Sequence, residues 1–151
     1  MLIKNLELIQ LSKNLESIML QKVPFSLTIT KNTKNVSSLL GIYNDDRNEI
    51  INKYCVLNED GSLLGKIGED GKRIENPQTL QDIETDDMES LLKELNELDS
   101  LEIDVELFEI DLNKVYYDSR LDDKSTIGDY IESNIDPHLV AYLSNYGIIK
   151  I

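Results

Sequence analysis

Leu101-Glu102-Ile103-Asp104-Val105-Glu106-Leu107-Phe108-Glu109-Ile110-Asp111-Leu112 is the stretch on which the fold class turns. Leu101, Ile103, Val105 and Leu107 alternate with Glu102, Asp104 and Glu106, the two-residue period of a half-buried strand. At Leu107-Phe108 the phase flips, and Phe108, Ile110 and Leu112 continue on the other parity, as a β-bulge or a change of buried face requires. Three carboxylates are therefore expected on one strand face, at intervals of about 6.8 Å. Because the rest of the chain is mostly helical in period, this strand makes the expected class α+β.

Upstream of the strand, Asn76-Pro77 supplies a helix start. Leu80, Ile83, Met88, Leu91, Leu92, Leu95 and Leu98 form an apolar stripe that predicts a helix over 78–98. Asp82, Asp86, Glu89, Lys93 and Asn96 fall mostly on its other side, and the acids of its first half suit the positive end of the helix dipole. Before it, Asn58-Glu59-Asp60-Gly61 and Glu69-Asp70-Gly71 are turn sequences. With Leu63, Leu64, Ile67 and Ile74 around the second turn, they predict a small exposed β-hairpin. A calcium loop fails in both registers, because its first ligand would be Val56 or Lys66.

The N-terminal third reads as a helical hairpin. Leu8, Leu11, Leu15 and Ile18 place a helix near 6–21, with Asn5 as its N-cap and Pro24 beyond its end. Ile29, Thr33, Val36, Leu40, Tyr43, Arg47, Ile50 and Tyr54 favour a long helix over 27–54, although Phe25, Leu27 and Ile29 alone also fit a strand. Two helices so closely joined are expected to pack antiparallel. At the other end, Thr126 and Asp129 resemble a capping pair, and Asp136-Pro137 reads as N-cap and first helical residue. Gly147 followed by Ile148 matches a Schellman stop. The expected organisation is one domain, 1–151, made of a helical hairpin (1–57), an Asp-Gly-rich hairpin (58–76), an acidic helix and strand (77–112) and short C-terminal helices (113–151).

Charge is distributed unevenly. The 151 residues carry 29 acids and 15 bases, a net of −14, yet residues 1–75 are neutral. Between Asp82 and Asp111 thirteen carboxylates face one base, Lys93. That balance argues against direct binding of nucleic acid or of an anionic membrane, since phosphates need a basic surface. The longest apolar run, Leu139 to Leu143, is far below the roughly 20 residues that span a bilayer. Glu7 and Glu16 interrupt any signal-like stretch, so the expected location is the cytoplasm. The single cysteine excludes an internal disulfide and Cys-rich zinc patterns.

Catalytic chemistry finds little support. His138 lacks neighbouring ligands, and Cys55, between Tyr54 and Val56, reads as a small buried hydrophobe. No Gly-rich phosphate loop, Gly-x-Ser-x-Gly elbow or His-Glu-x-x-His helix is present. Asp86-Asp87-x-Glu89 and Glu102-x-Asp104-x-Glu106 have spacings that could hold magnesium, but a phosphodiester enzyme also needs nearby bases. The expectation is a protein without enzymatic activity, cofactor or metal.

The order of segments carries a resemblance. Asn48-Glu49-Ile50-Ile51-Asn52-Lys53-Tyr54 runs into the two Asp-Gly turns, then Ile74-Glu75-Asn76-Pro77, a helix ending Leu95-Asn96-Glu97-Leu98, and the acidic strand. With Ile135-Asp136-Pro137, Leu139, Tyr142-Leu143 and Ile148, this resembles an uncharacterised family of small proteins encoded by phages and prophages of Gram-positive bacteria. The resemblance implies a phage origin, a non-enzymatic role and the host cytoplasm, and transfers no residue roles.

Two functions follow as expectations. The first is binding of a basic protein surface, as an acidic nucleic-acid mimic that inhibits a host defence nuclease, with Asp82, Asp86, Glu89, Glu102, Asp104 and Glu106 as partner-binding residues. The second is a phage virion component or assembly factor, for which the acidity is incidental.

Overall fold

Why the acidic strand exists is answered at the other end of the chain. In the computed structural model, which describes residues 1–150, β1 (Leu2–Lys4) pairs antiparallel with β2 (Glu102–Asp104), with Ile3 opposite Ile103. The helices are α1 (Glu7–Met19), α2 (Ser26–Tyr54), α3 (Met88–Ser100), α4 (Ile127–Asn134) and α5 (Pro137–Ser144). A second two-stranded antiparallel sheet joins β3 (Val115–Asp118) to β4 (Asp123–Thr126). The class is α+β. The chain forms two compact units, one of residues 1–40 with 102–151 and one of residues 41–101.

In the first unit, α1 buries Leu8, Leu11, Leu15 and Ile18, the stripe that the three- and four-residue spacing predicts. At its start Leu6 already has helical angles, and the Glu7 carboxylate accepts from the Lys4 N–H at 2.7 Å, the returning half of a capping box. The segment 25–32 is a turn residue followed by helix, since α2 starts at Ser26 with Ile29 fully buried. At the far end, Thr126 caps α4 by accepting from the Asp129 N–H, and Asp136 caps α5 by accepting from the His138 N–H. The Gly147 N–H reaches the Ser144 carbonyl and the Ile148 N–H that of Leu143, the two bonds of a Schellman motif, which glycine at C′ allows.

The expected strand through Leu112 is shorter than its pattern. β2 ends at Asp104, because β1 supplies only three residues to pair with it. The buried parity nevertheless continues through Val105, and Ile110 is buried after the flip. The flip itself lies one residue later than expected: Phe108 and Glu109 both face outward. Asn32 of α2 holds this kink. Its Nδ2 donates to the Phe108 carbonyl at 3.0 Å, and its Oδ1 accepts from the Phe108 N–H at 2.6 Å. A fully buried side-chain amide thus replaces the missing neighbouring strand, as a buried backbone pair demands.

In the second unit, the helix expected over 78–98 begins only at Met88. Leu80–Asp82 is a single 3₁₀ turn, residues 83–85 run through two backbone bridges, and the chain bends at Asp86. Asp87 starts α3, its carboxylate accepting from the Ser90 N–H at 3.0 Å and from the Ser90 hydroxyl at 2.6 Å. Residues 82–86 are drawn instead into backbone pairing. Glu84 N–H donates to Leu64, Val56 N–H to Glu84, and Leu64 N–H to Val56, at 2.8 to 3.0 Å. Three extended segments, 55–57, 63–67 and 83–85, therefore each pair with the other two. Leu80 and Ile83 still join the apolar cluster of Ile51, Cys55, Leu91 and Leu95. The stripe correctly marks burial there, but it is read out from a non-helical backbone.

The Asp-Gly turns form as expected, with Gly61 and Gly71 at φ of +86° and +78° and Asp60 and Asp70 each accepting from the N–H two residues on. The second turn closes a hairpin through the Ile67–Arg73 bridge.

Candidate functional site

The six carboxylates singled out above lie on different kinds of backbone, three in each unit. In the second unit, Asp82 ends the 3₁₀ turn, Asp86 lies at the bend before α3, and Glu89 occupies the first turn of α3. They do not share one helix face, because the helix starts after the first two. Their backbone is nonetheless held: the Asp82 carbonyl accepts from Lys66 and the Asp86 N–H donates to Tyr54. In the first unit, Glu102 and Asp104 point outward from β2, and Glu106 follows on the same parity, exposed. The Glu106 carbonyl accepts from Asn35 Nδ2 at 2.9 Å.

Compensation is sparse. Among the described residues, Asp104 has a cationic partner, the Met1 nitrogen at 2.8 Å; the other five candidates make no ion pair. Lys4 stands directly across the ladder from Glu102 without bridging to it. The second unit as a whole holds sixteen acids and six bases, a net of −10. Two of those bases are engaged by carboxylates outside the candidate set, Lys53 by Glu94 at 3.1 Å and Arg73 by Glu84 at 3.7 Å. The free carboxylates therefore set the sign of this unit's field.

Other acids have structural duties. The Ser90 side chain and backbone hold the Asp87 carboxyl below the usual carboxylate range. Lys53, then Tyr54, do the same for Glu94. Asp99 accepts from the hydroxyl of Tyr43, a residue only 2% exposed. Burial first and Asp99 second push the Tyr43 phenol up to about 12. A phenol whose folded pKa exceeds its ordinary 10 stabilises the fold fully below pH 10 and loses that contribution as pH rises toward 12. The stability difference between wild type and Tyr43→Phe should therefore shrink between about pH 9 and pH 12, as read by urea unfolding. A constant difference would show that Tyr43 titrates normally.

The nucleophile and ligand candidates sit apart from any such constellation. Cys55 is buried, and burial, then Asp86, raise its thiol, the opposite of what a nucleophile needs. His138 is exposed at the start of α5. Among the described residues no three His, Cys, Asp or Glu side chains converge as a metal site requires, and no helix is long and apolar enough to cross a membrane. The first unit holds a cleft of about 430 Å³ lined by Tyr116, Asp118, Arg120 and Tyr130, among others. Arg120 occupies much of its chemistry, bonding Asp118 at 3.1 Å and lying 5.7 Å from the Tyr130 ring centre.

Comparison with protein-family models, with curated proteins and with solved structures finds no match.

Proposed function

We propose that this chain is a non-enzymatic binding protein that engages a basic protein surface, one shaped for nucleic acid, through its uncompensated carboxylates. The observation that carries the reading is the state of the six residues: among the described residues five have no cationic partner, and their backbones are tied down by hydrogen bonds. A backbone ordered before binding has no chain entropy left to lose, so the cost of association is confined to the side chains. Duplex DNA offers a basic groove one charge per about 1.7 Å of axis, and an ordered acidic protein competes for the same groove. Inhibition of a host defence nuclease by a phage protein is the specific role this chemistry suits. A virion or assembly role has no observation of its own in its favour.

The test is competition. Basic nucleic-acid-binding proteins retained on heparin are loaded with fluorescent duplex DNA and titrated with the chain. Wild type should displace the duplex at about 50 mM salt and fail at about 300 mM, where screening is strong. Neutralising Asp82, Asp86 and Glu89, or Glu102, Asp104 and Glu106, to Asn and Gln should weaken displacement roughly tenfold. Neutralising Glu59, Glu69 and Glu75 changes net charge equally and should leave it near wild type. Equal loss in all three variants would reduce the effect to bulk charge and end the site assignment.

A further inference from the structure

Two surfaces of the first unit are complementary to each other. One is an apolar groove of about 560 Å³ beside α4 and α5, lined by Leu112, Ile131, Ile135, Pro137, Val140 and Ala141 among others. Ile131 and Ile135 are buried, whereas Pro137 and Ala141 are exposed, so the groove opens to solvent. Its walls are held by the fold. The Gly128 N–H donates to the Leu112 carbonyl at 2.9 Å, an approach at which a Cβ on residue 128 would stand 3.2 Å from that oxygen. Asp136 caps α5 with Pro137 directly behind it, and the Ile110 N–H donates to the Ile148 carbonyl at 2.8 Å.

The charge around this groove has one sign. Glu132 lines it, Asp111 precedes Leu112, and Asp136 stands between Ile135 and Pro137. Among the described residues none of these three acids makes an ion pair. Residues 125–149 contain no lysine or arginine. Lys150 is engaged by Glu109 at 3.1 Å, which leaves Lys114 as the nearest unpaired base in sequence.

The second surface is opposite in both shape and charge. Leu20, just past α1, is 85% exposed, and Leu27, in the first turn of α2, is 68% exposed. Lys31 and Lys34 follow Leu27 at steps of four and three, so the three residues share one helix face, and both lysines are exposed. From Ser17 to Leu40 the chain has three lysines and no acid. Among the described residues none of those lysines makes an ion pair. Other protruding apolar side chains of this unit lack that setting: Leu121 is followed by Asp122 and Asp123, and Leu2 lies opposite Asp104 on the ladder.

We propose that the groove takes the Leu27 corner of a second copy of this chain, with Lys31 and Lys34 of that copy set against Glu132 and Asp136. A groove of this volume lies in the range that encloses a small ligand, about 300–1,000 Å³, and so admits a protruding leucine. The contact is heterologous, a knob on one copy meeting a hole on the next. At physiological salt charges interact over about 8 Å, so the net charge of −14 is largely screened between distant parts while charges in contact still act. A contact this small gives weak association, with a dissociation constant of about 100 µM. None of the six carboxylates proposed above to meet a partner belongs to either surface, so partner binding and self-association are separable.

Sedimentation equilibrium of the full chain between about 20 and about 500 µM should show species heavier than the 17.3 kDa monomer, increasing with concentration. Leu27→Asp and Ala141→Arg, both at exposed positions, should each weaken association at least about tenfold while the helical circular dichroism stays unchanged. Mixed in equal amounts, the two variants should associate again, because the first keeps a working groove and the second a working knob. Glu132→Lys replaces −1 by +1 and brings the net charge from −14 to −12. Relief of bulk repulsion would strengthen association, whereas the local charge match requires it to weaken by about threefold or more. A wild-type chain that stays monomeric at about 500 µM overturns the proposal. So does undiminished association of either Leu27→Asp or Ala141→Arg, or a mixture of the two that stays monomeric. Stronger association of Glu132→Lys overturns the charge match.

Discussion

Replacing Asn32 by alanine should lower the unfolding free energy by about 3 kcal/mol, the sum of two unpaired backbone groups at about 1–3 kcal/mol each less some local relaxation. Asn32 is fully buried, and both ends of its amide are spent on Phe108. Alanine removes the partner and leaves a part-buried backbone N–H and C=O without their hydrogen bonds. The neighbouring Asn35→Ala should cost under about 1 kcal/mol, because it makes one exposed bond, to Glu106. Asn32→Asp separates shape from chemistry. Its carboxylate has no hydrogen to give the Phe108 carbonyl, and burial favours its neutral form. With a folded pKa above the unfolded value, the variant should be least unstable in acid and lose stability as pH rises through that folded pKa. Urea midpoints for the three variants across pH check this ordering; an Asn32→Ala midpoint equal to that of Asn35→Ala would mean that the kink at Phe108 holds itself.

Gly65→Ala should be the second large loss, about 2–4 kcal/mol, the range for steric overpacking at a site with no room to move. A Cβ built on Gly65 would stand 2.0 Å from the Ile74 carbonyl oxygen and 2.9 Å from its carbon. Both are backbone atoms, so no rotamer change relieves the clash. The second hairpin must lift, opening the Ile74-to-Lys66 bond and the bond from Arg73 Nη1 to the Gly65 carbonyl. Amide exchange at Ile74, Lys66 and Glu84 should speed up first. Gly41→Ala is the matching control: nothing lies within 4 Å of its Cβ, and alanine within α2 should stabilise by about 0.5–1 kcal/mol. If both glycine variants behaved alike, close approach at Gly65 would not be the reason for its glycine.

Much of the fold was legible because its elements are local. The α1 stripe, the caps at Thr126 and Asp136 and the Gly147 stop depend on residues within a turn of one another. The late start of α3 was legible in part, since Asp87 with Ser90 is a capping pair, but the apolar stripe through Leu80 and Ile83 fits a helix equally well. The β3–β4 hairpin lacked the usual sign, a glycine in its turn; Asp122 takes the positive φ instead. Of the candidate site, the sequence reading located the excess charge but not its mounting. It placed Asp82, Asp86 and Glu89 on one helix face, and three different backbones carry them.

Period, capping and composition act over a few residues, so the sequence by itself determined where the chain turns, where negative charge accumulates and most of the buried stripes, although Leu92, Leu101 and Phe108 lie on those stripes and are exposed. Only the tertiary structure decided which partners satisfy the buried backbone. Leu2–Lys4 supplies the neighbour of β2 from about a hundred residues away, Asn32 stands in for a strand at Phe108, and residues 83–85 abandon a helix for pairing with 55–57 and 63–67. Each choice is a competition between a local hydrogen bond and a distant one of similar strength, and no local pattern ranks those two.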